Sequence, residues 1–423
     1  MSHPVAPRAF ARSLPAVDPA APARATVGRA ERVVGSLLQR IAGDALELRT
    51  PARSYRFGNG ADPAAVLHVH DASVFERVLR SGDIGLAEAY LEGLWTSPDL
   101  RALLGCAMRQ RAVLERAVYG SFWGSLLHRL THFARRNTRA GSRRNIHAHY
   151  DLGNTFYAQW LDETMNYSSA WFGGEPALTL AQAQQRKVAR TLDQAGVVAG
   201  SRVLEIGCGW GAVAEAAARR GAHLTGVTLS TEQLHWARRR LDQAGLAPRA
   251  DLRLQDYRDL AAEGRRYDAI VSVEMFEAVG RAYWPSYFRT LGECLAPGGK
   301  ACVQTIVIRD DLFARYARST DFIQQYIFPG GMLPSARVFR EQAARAGLVV
   351  REELAFGADY ARTLHLWRER FQARRDAIAA QGFDERFMRL WDFYLAYCEA
   401  AFETGQTEVV QFTLEQAPAR ARP

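Results

Sequence analysis

Nine residues, Val203-Leu204-Glu205-Ile206-Gly207-Cys208-Gly209-Trp210-Gly211, restrict the fold more than any other stretch of this chain. An apolar, β-branched run ends in an acid, breaks into a Gly-x-Gly-x-Gly turn, and passes into a helix-forming stretch from Ala212 to Arg220. A strand, a tight loop and a helix N-terminus in that order bring bare backbone close to a nucleotide-like ligand. The E-x-G-x-G-x-G spacing differs from the dinucleotide G-x-G-x-x-G. No Lys-Ser/Thr follows, which excludes a phosphate-cradling P-loop.

The surroundings extend this reading. Strands are predicted at 202–207, 223–229, 251–255, 268–273 and 300–308, with helices at 211–220, 231–244 and 284–295. Pro297-Gly298-Gly299 predicts a turn before the fifth strand. This alternation is the pattern of an α/β, doubly wound, Rossmann-like parallel sheet, whose ligands bind at the carboxyl ends of the strands. Each of those ends carries a polar group: Glu205, Thr228, Asp256, Glu274 and Gln304. The Gly loop is similar to that of S-adenosylmethionine (SAM) methyltransferases, whose ligand has no phosphates to cradle. On that reading Glu205, Gly207, Cys208, Gly209 and Gly211 hold SAM. Thr228, Leu229, Ser230 and Gln233 offer hydroxyl and amide groups to its ribose, and Ser230 reads equally well as a helix N-cap. Asp256 and Tyr257 suit the adenine. Glu274 and Glu277, two acids one turn apart among apolar neighbours, are expected in a cleft.

The N-terminal part has a different character. Met1 to Gly28 is rich in Ala, Pro and Arg, lacks an apolar core segment, and reads as a disordered leader (residues 1–29). Residues 30–140 read as a smaller α+β domain. A helix is predicted at Ala30–Ala42, short strands within Leu46–Phe57 and Ala65–Val69, helices at Ala72–Arg80 and Leu86–Leu91, and another from Asp99. Residues 1–144 hold 21 arginines against 12 acids, an excess equal to the +9 of the whole chain. The excess peaks at Arg135–Arg144, where a boundary near 135–145 separates the catalytic domain, residues 141–423. Such a surface attracts an anionic polymer or an anionic lipid face, or is a solvated linker. No run of eighteen apolar residues is present, so no membrane span is expected. Five cysteines without a C-x-x-C pair suggest a reducing compartment and no structural metal.

Seven motifs in order carry a resemblance. They are His149-Tyr150-Asp151-Leu152-Gly153-Asn154, Asn166-Tyr167-Ser168, Val203–Gly211, Gln255-Asp256-Tyr257-Arg258-Asp259, Phe276-Glu277, Tyr326-Ile327-Phe328-Pro329-Gly330-Gly331, and Phe356-Gly357-Ala358-Asp359-Tyr360. Together they resemble the cyclopropane-fatty-acyl-phospholipid synthase family, relatives of the mycolic acid methyltransferases, closely over about 145–415 and more loosely over 60–105. The resemblance implies SAM-dependent transfer of a one-carbon unit to the double bond of an unsaturated phospholipid acyl chain. A carbocation forms and a proton is then lost as a cyclopropane closes. It adds Tyr167 and Ser168 to the SAM-binding set. Tyr167, Trp171, Phe172 and Tyr360 are candidates to face the cation.

The resemblance also implies a bound bicarbonate as base, held by Ser169, Glu277, Gln304, Ile306 and Tyr360. Ser169 stands where cysteine is usual and Gln304 where histidine is usual; Ala278 replaces a histidine common after the glutamate. Glu274 stands where glycine is frequent, which leaves open a methyl-branched or methylene product without ring closure. Cys398 matches a cysteine often linked to activity, but in the amphipathic aromatic stretch Leu390–Phe402 a buried helical cysteine is more often packing than nucleophile. The implied partner is a membrane phospholipid on an anionic surface, met by a cytoplasmic protein peripheral to the inner face, with a homodimer left open. Phe122-Trp123 and Leu126-Leu127 are candidates to enter that interface. A nucleic-acid substrate is not expected: there is no Asn/Asp-Pro-Pro-aromatic motif, and residues 145–423 are neutral in aggregate. A small-molecule SAM methyltransferase and a non-catalytic lipid binder are the remaining rivals.

Overall fold

The computed structural model describes residues 27–60, 65–111 and 152–418. Residues 1–26 of the expected leader, Arg135–Arg144, His149–Asp151, Phe122-Trp123 and Leu126-Leu127 lie outside these residues; the last residue of that leader, Arg29, instead opens the first helix.

The strand-forming runs build a seven-stranded sheet. Its strands are β5 (Arg202–Ile206), β6 (His223–Thr228), β7 (Ala250–Leu254), β8 (Tyr267–Val273), β9 (Leu295–Ile308), β10 (Leu348–Ala355) and β11 (Thr407–Gln416), in the order β10-β11-β9-β8-β5-β6-β7. β5 lies parallel between β6 and β8, and four of its five residues are buried. This is the position an apolar run without alternation demands, because both faces are covered by helices. The parallel expectation holds for the five strands read from sequence. The two further strands make the sheet mixed, because β11 runs antiparallel to both β9 and β10. The Pro297-Gly298-Gly299 turn is a bend inside β9. Gly298 has φ 76°, and pairing with β8 slips between Tyr267 and Ala269.

Helices α4 (Asn154–Trp160), α5 (Leu180–Gln194), α6 (Ala212–Arg219), α7 (Thr231–Gln243), α8 (Trp284–Cys294), α9 (Ala336–Arg345), α10 (Gly357–Ala373) and α11 (Glu385–Glu403) follow or precede these strands. One face of the sheet packs small residues of α5–α7, among them Ala214, Ala217 and Ala237. The other packs aromatic rings, Phe276, Tyr287, Phe288, Phe339 and Phe412. Burying each such ring contributes about 2–3 kcal/mol.

Upstream lie α1 (Arg29–Leu38), β1 (Ala45–Arg49), β2 (Ser54–Gly58), β3 (Ala65–Val69), α2 (Ser73–Leu91), β4 (Trp95–Thr96) and α3 (Leu100–Arg109), with a small sheet ordered β2-β1-β3-β4. The two short helices expected around residue 82 form one element, kinked where Gly82 adopts φ 59°, ψ −128°. Asp99 caps α3 by accepting from the Ala102 N–H at 2.9 Å. This part shares a hydrophobic core with α4, α10 and α11. Its polar ties to them include the Tyr90 hydroxyl donating to Asp392 at 3.0 Å. Among the described residues no helix is long and apolar enough to cross a membrane.

Candidate active site

The glycines after β5 divide the labour of the loop. A Cβ at Gly207 would sit 2.9 Å from Met275 Cγ, and one at Gly211 2.9 Å from Ala237 Cβ; both have φ above 80°. These two are glycine because the protein itself crowds them. Gly209, at φ 49°, has no protein atom within 4 Å of where its Cβ would be. Its φ favours glycine, and the space beside it belongs to a cavity. The loop is pinned by the Gly207 and Cys208 N–H groups, which both donate to the Val227 carbonyl, at 2.9 and 3.0 Å.

A cavity opens over this loop, enclosing some 1160 Å³ including its open side. Its wall gathers Tyr167, Ser168, Glu205, Gly207, Cys208, Gly209, Thr228, Leu229, Gln233, Asp256 and Tyr257. Of the expected SAM set, Gly211 and Ser230 are not on that wall. Gly211 starts α6, and Ser230 caps α7 by accepting from the Gln233 N–H at 3.2 Å, its alternative reading. Asp256 lines the cavity with its carboxylate engaged by Arg258, at 2.8 Å from Nε.

Glu205 is buried, and one of its oxygens has no hydrogen-bond partner among the described residues. Burial pushes its carboxyl well above the usual range, opposed by the Lys187 and Arg240 charges. An unpartnered buried oxygen on a side chain that borders a cavity asks for a cation or donor. The open Gly209 backbone, the Glu205 oxygen and the Thr228–Gln233 amide and hydroxyl groups therefore fit SAM. Glu205 would suit the ammonium of its amino-acid part, and the glycine loop would accommodate its adenosyl group.

Lys187 escaped the sequence reading. It is fully buried, with its Nζ 2.5 Å from Ser168 Oγ and 3.3 Å from Asn166 Oδ1. Burial lowers its pKa to about 8, while Glu274, Asp162 and Glu205 pull the other way. The signal was present in the helix period: Lys187 shares the buried face of α5 with Leu180, Ala183, Gln184 and Thr191.

A second cavity, with some 1660 Å³ of empty space, is mainly apolar. Met108, Ile306, Ile308, Phe328, Met332, Leu364 and Phe402 are among its walls, with Asp83, Arg111 and Asp321 also bordering it. The two cavities share Tyr167, Glu274 and Ala278. The strand-end pocket and the apolar pocket thus meet at a carboxylate.

Glu274 follows β8 in a left-handed backbone conformation, φ 49°. Its Oε1 accepts from the Ser169 N–H at 2.8 Å and Gln304 Nε2 at 2.7 Å, and its Oε2 from the Tyr360 hydroxyl at 2.6 Å. Burial raises its pKa, opposed by Tyr360, the Lys187 charge, Ser169 and Gln304. Glu277 takes the Ile306 N–H on one oxygen; the other is buried and has no partner among the described residues. Burial, then the nearby Glu274 charge, push Glu277 up to about 8. Two acids sharing one site in this way cannot both ionise easily. Gln304 is itself oriented, since Gln411 Nε2 donates to its Oε1 at 3.0 Å and also to Thr191 Oγ1 at 3.0 Å. Gln411 and Thr191 were not anticipated either.

Tyr360, Ser169, Gln304, Ile306, Glu274 and Glu277 are thus brought together. Ser169 contributes its backbone, because its hydroxyl donates to the Ala170 carbonyl. Cys398 lines the apolar cavity, and burial pushes its thiol far up, so it stays protonated and packs. Trp171 and Phe172 do not line either cavity. Arg186 lies over the Trp171 ring at 4.6 Å, and Arg362 over buried Phe172 at 3.9 Å. Both rings are spent on surface cations, which leaves Tyr167 and Tyr360 of the four aromatic candidates. Among the described residues no group of three or more His, Cys, Asp or Glu is arranged to hold a metal.

Comparison with known proteins agrees with this geometry. The family model for mycolic acid cyclopropane synthetase matches residues 137–412. The chain is 41% identical to the tuberculostearic acid methyltransferase UfaA1 of Mycobacterium tuberculosis, over 92% of this chain and 93% of that one. It is 35% identical to the cyclopropane-fatty-acyl-phospholipid synthase of Escherichia coli, over 84% and 88% of the two chains. The solved mycolic acid cyclopropane synthase CmaA1, complexed with SAH and CTAB, superposes with a TM-score of 0.60 at 29% identity, covering 65% of this chain and 98% of that one.

Proposed function

Since the chain belongs to the mycolic acid cyclopropane synthetase family and is a SAM-dependent methyltransferase of that type, we propose that it methylates the double bond of an unsaturated phospholipid acyl chain and releases an open-chain product. The observation that carries this reading is the meeting of the two cavities at Tyr167, Glu274 and Ala278. When bound, SAM supplies a methyl group on an electrophilic sulfonium. The residues of this chain do the rest. The Gly209 loop and Glu205 orient the donor, and the apolar walls from Met108 to Phe402 take the acyl chain and exclude water that would quench a cation. Tyr167 borders the junction and Tyr360 the apolar side, so both are near where positive charge would develop.

Loss of one proton then decides the outcome. A proton lost from the transferred carbon closes a ring; one lost from the acyl chain leaves a methyl-bearing alkene. Glu274, in place of the frequent glycine, and the likeness to the tuberculostearic acid methyltransferase favour the open chain. The likeness to the Escherichia coli cyclopropane synthase favours the ring. Delivery from the bilayer fits the arginine excess of residues 1–144, which suits an anionic lipid surface at the inner face of the membrane.

The test is to incubate the protein with SAM and liposomes of monounsaturated phosphatidylglycerol and analyse the released fatty acids by mass spectrometry. A gain of one CH₂ with the alkene retained supports the open-chain reading, and the same gain with the alkene lost supports ring closure. No gain, with SAM bound, rejects the acyl-chain acceptor.

A further inference from the structure

Glu274 is unusual in two independent ways. Its backbone lies in the left-handed region, shared among described non-glycine residues only by Met165. A glycine would adopt that conformation without strain, so the side chain is kept against the preference of the backbone. That side chain also draws in the donors of three separate segments: the Ser169 amide, the Gln304 carboxamide on β9 and the Tyr360 hydroxyl on α10. The fourth donor, the Ile306 amide, is taken by Glu277. These are the groups that the resemblance assigns to a bound bicarbonate. Each already donates to a carboxylate of the chain, so the residues present do not fit a second anion.

We infer that the Glu274 carboxylate is a built-in replacement for that anion, filling its cradle and acting as the resident base, so that turnover is independent of bicarbonate. This rests on the proposed methyl transfer to an alkene. The carbon–sulfur bond of the donor breaks with its electron pair left on sulfur, while the alkene π pair forms the new carbon–carbon bond. The adjoining carbon is left cationic. A neighbouring C–H bond then breaks, its pair forming the new C=C or ring bond, and the proton passes to Glu274. Oε1 already accepts two hydrogen bonds and Oε2 accepts the Tyr360 hydroxyl alone, so Oε2 is the atom with a lone pair to receive it.

The experiment uses the full chain, SAM and monounsaturated phosphatidylglycerol liposomes, in buffer stripped of carbon dioxide, with and without added sodium bicarbonate. The wild-type rate is expected to be the same in both. E274G, which empties the cradle and relieves the backbone, is expected to lose about a hundredfold in rate and regain about tenfold with bicarbonate. E274Q keeps the cradle filled, and is expected to be slow in both buffers. Binding is read separately as line broadening of isotopically labelled bicarbonate by NMR, expected with E274G and absent with the wild type. A wild-type rate that falls on stripping and returns with bicarbonate overturns the inference. So does wild-type turnover by E274G without added anion, or bicarbonate binding to the wild type. If the wild type methylates no acyl lipid, the proposed reaction fails. The NMR contrast still decides whether Glu274 fills the cradle.

Discussion

The two cavities that meet at Glu274 are built on opposite plans. The donor cavity is written in consecutive strand ends, and backbone shape at three glycines does much of its work. The apolar cavity is gathered from segments as distant as Asp83 and Thr407, and away from the carboxylates at the junction its walls are mostly side-chain packing. A cavity made of backbone turns is specific and brittle, while one made of side-chain surface is adjustable.

Five substitutions separate or couple the two halves. The largest effect is expected from Gly209→Asp, which puts a charged side chain into space that no protein atom occupies. SAM affinity should fall by at least about a hundredfold, roughly 2.8 kcal/mol, with the apo fold losing only the cost of a side chain at φ 49°, about 1–2 kcal/mol. Calorimetry showing retained affinity would move the donor elsewhere. Gly211→Ala should do the reverse, destabilising the fold by about 1–3 kcal/mol in urea titration through its clash with Ala237.

Next, Glu277→Ala should lower kcat by about 10²–10⁴ while leaving SAM affinity within about threefold. Near-normal turnover would remove Glu277 from the reaction. Ala401→Trp, filling the acyl cavity, should cut kcat/KM for lipid by about tenfold and spare SAM binding. A matching loss of SAM affinity would mean that the cavities are not separable in this way. Lys187→Met sharpens the comparison from the other side, because its ammonium contacts Ser168 and acts electrostatically on both Glu205 and Glu274. Both SAM affinity and turnover should fall, each by about tenfold.

The smallest effect is a pH dependence of stability. Folded Glu277 keeps its proton up to about 8, against an ordinary 4.5. Between those values the folded chain binds a proton that the unfolded chain has lost, so stability falls as pH rises through the window. Melting midpoints should decline there for the wild type, and less steeply for Glu277→Gln.

The same contrast explains what the sequence disclosed. Strands β5 to β9 were legible because a polar site residue lies at or near the carboxyl end of each of β5 to β8 and within β9, so motif and position largely coincide. β10 and β11 were not placed. The reversed position of β11 depends on pairing with β9, about a hundred residues earlier, and no local pattern encodes that partner. Lys187 was missed because a lysine on a helix is ordinarily solvated, although its heptad neighbours are buried. The membership of Glu274 in the site was legible. That its carboxylate captures the donors expected to hold a separate anion was not, since this depends on a left-handed backbone turn.

The placement of β11 has a consequence for how the enzyme comes into being. Gln411, which orients Gln304 toward Glu274, lies on a strand inserted between two that are synthesised earlier. Until the ribosome has passed residue 416, β9 and β10 lack the strand that joins them, and Gln304 lacks its guide. A nascent chain can therefore form the glycine loop well before it can organise the base. Competence for chemistry waits on β11, which joins β9 to β10 and brings Gln411 to Gln304.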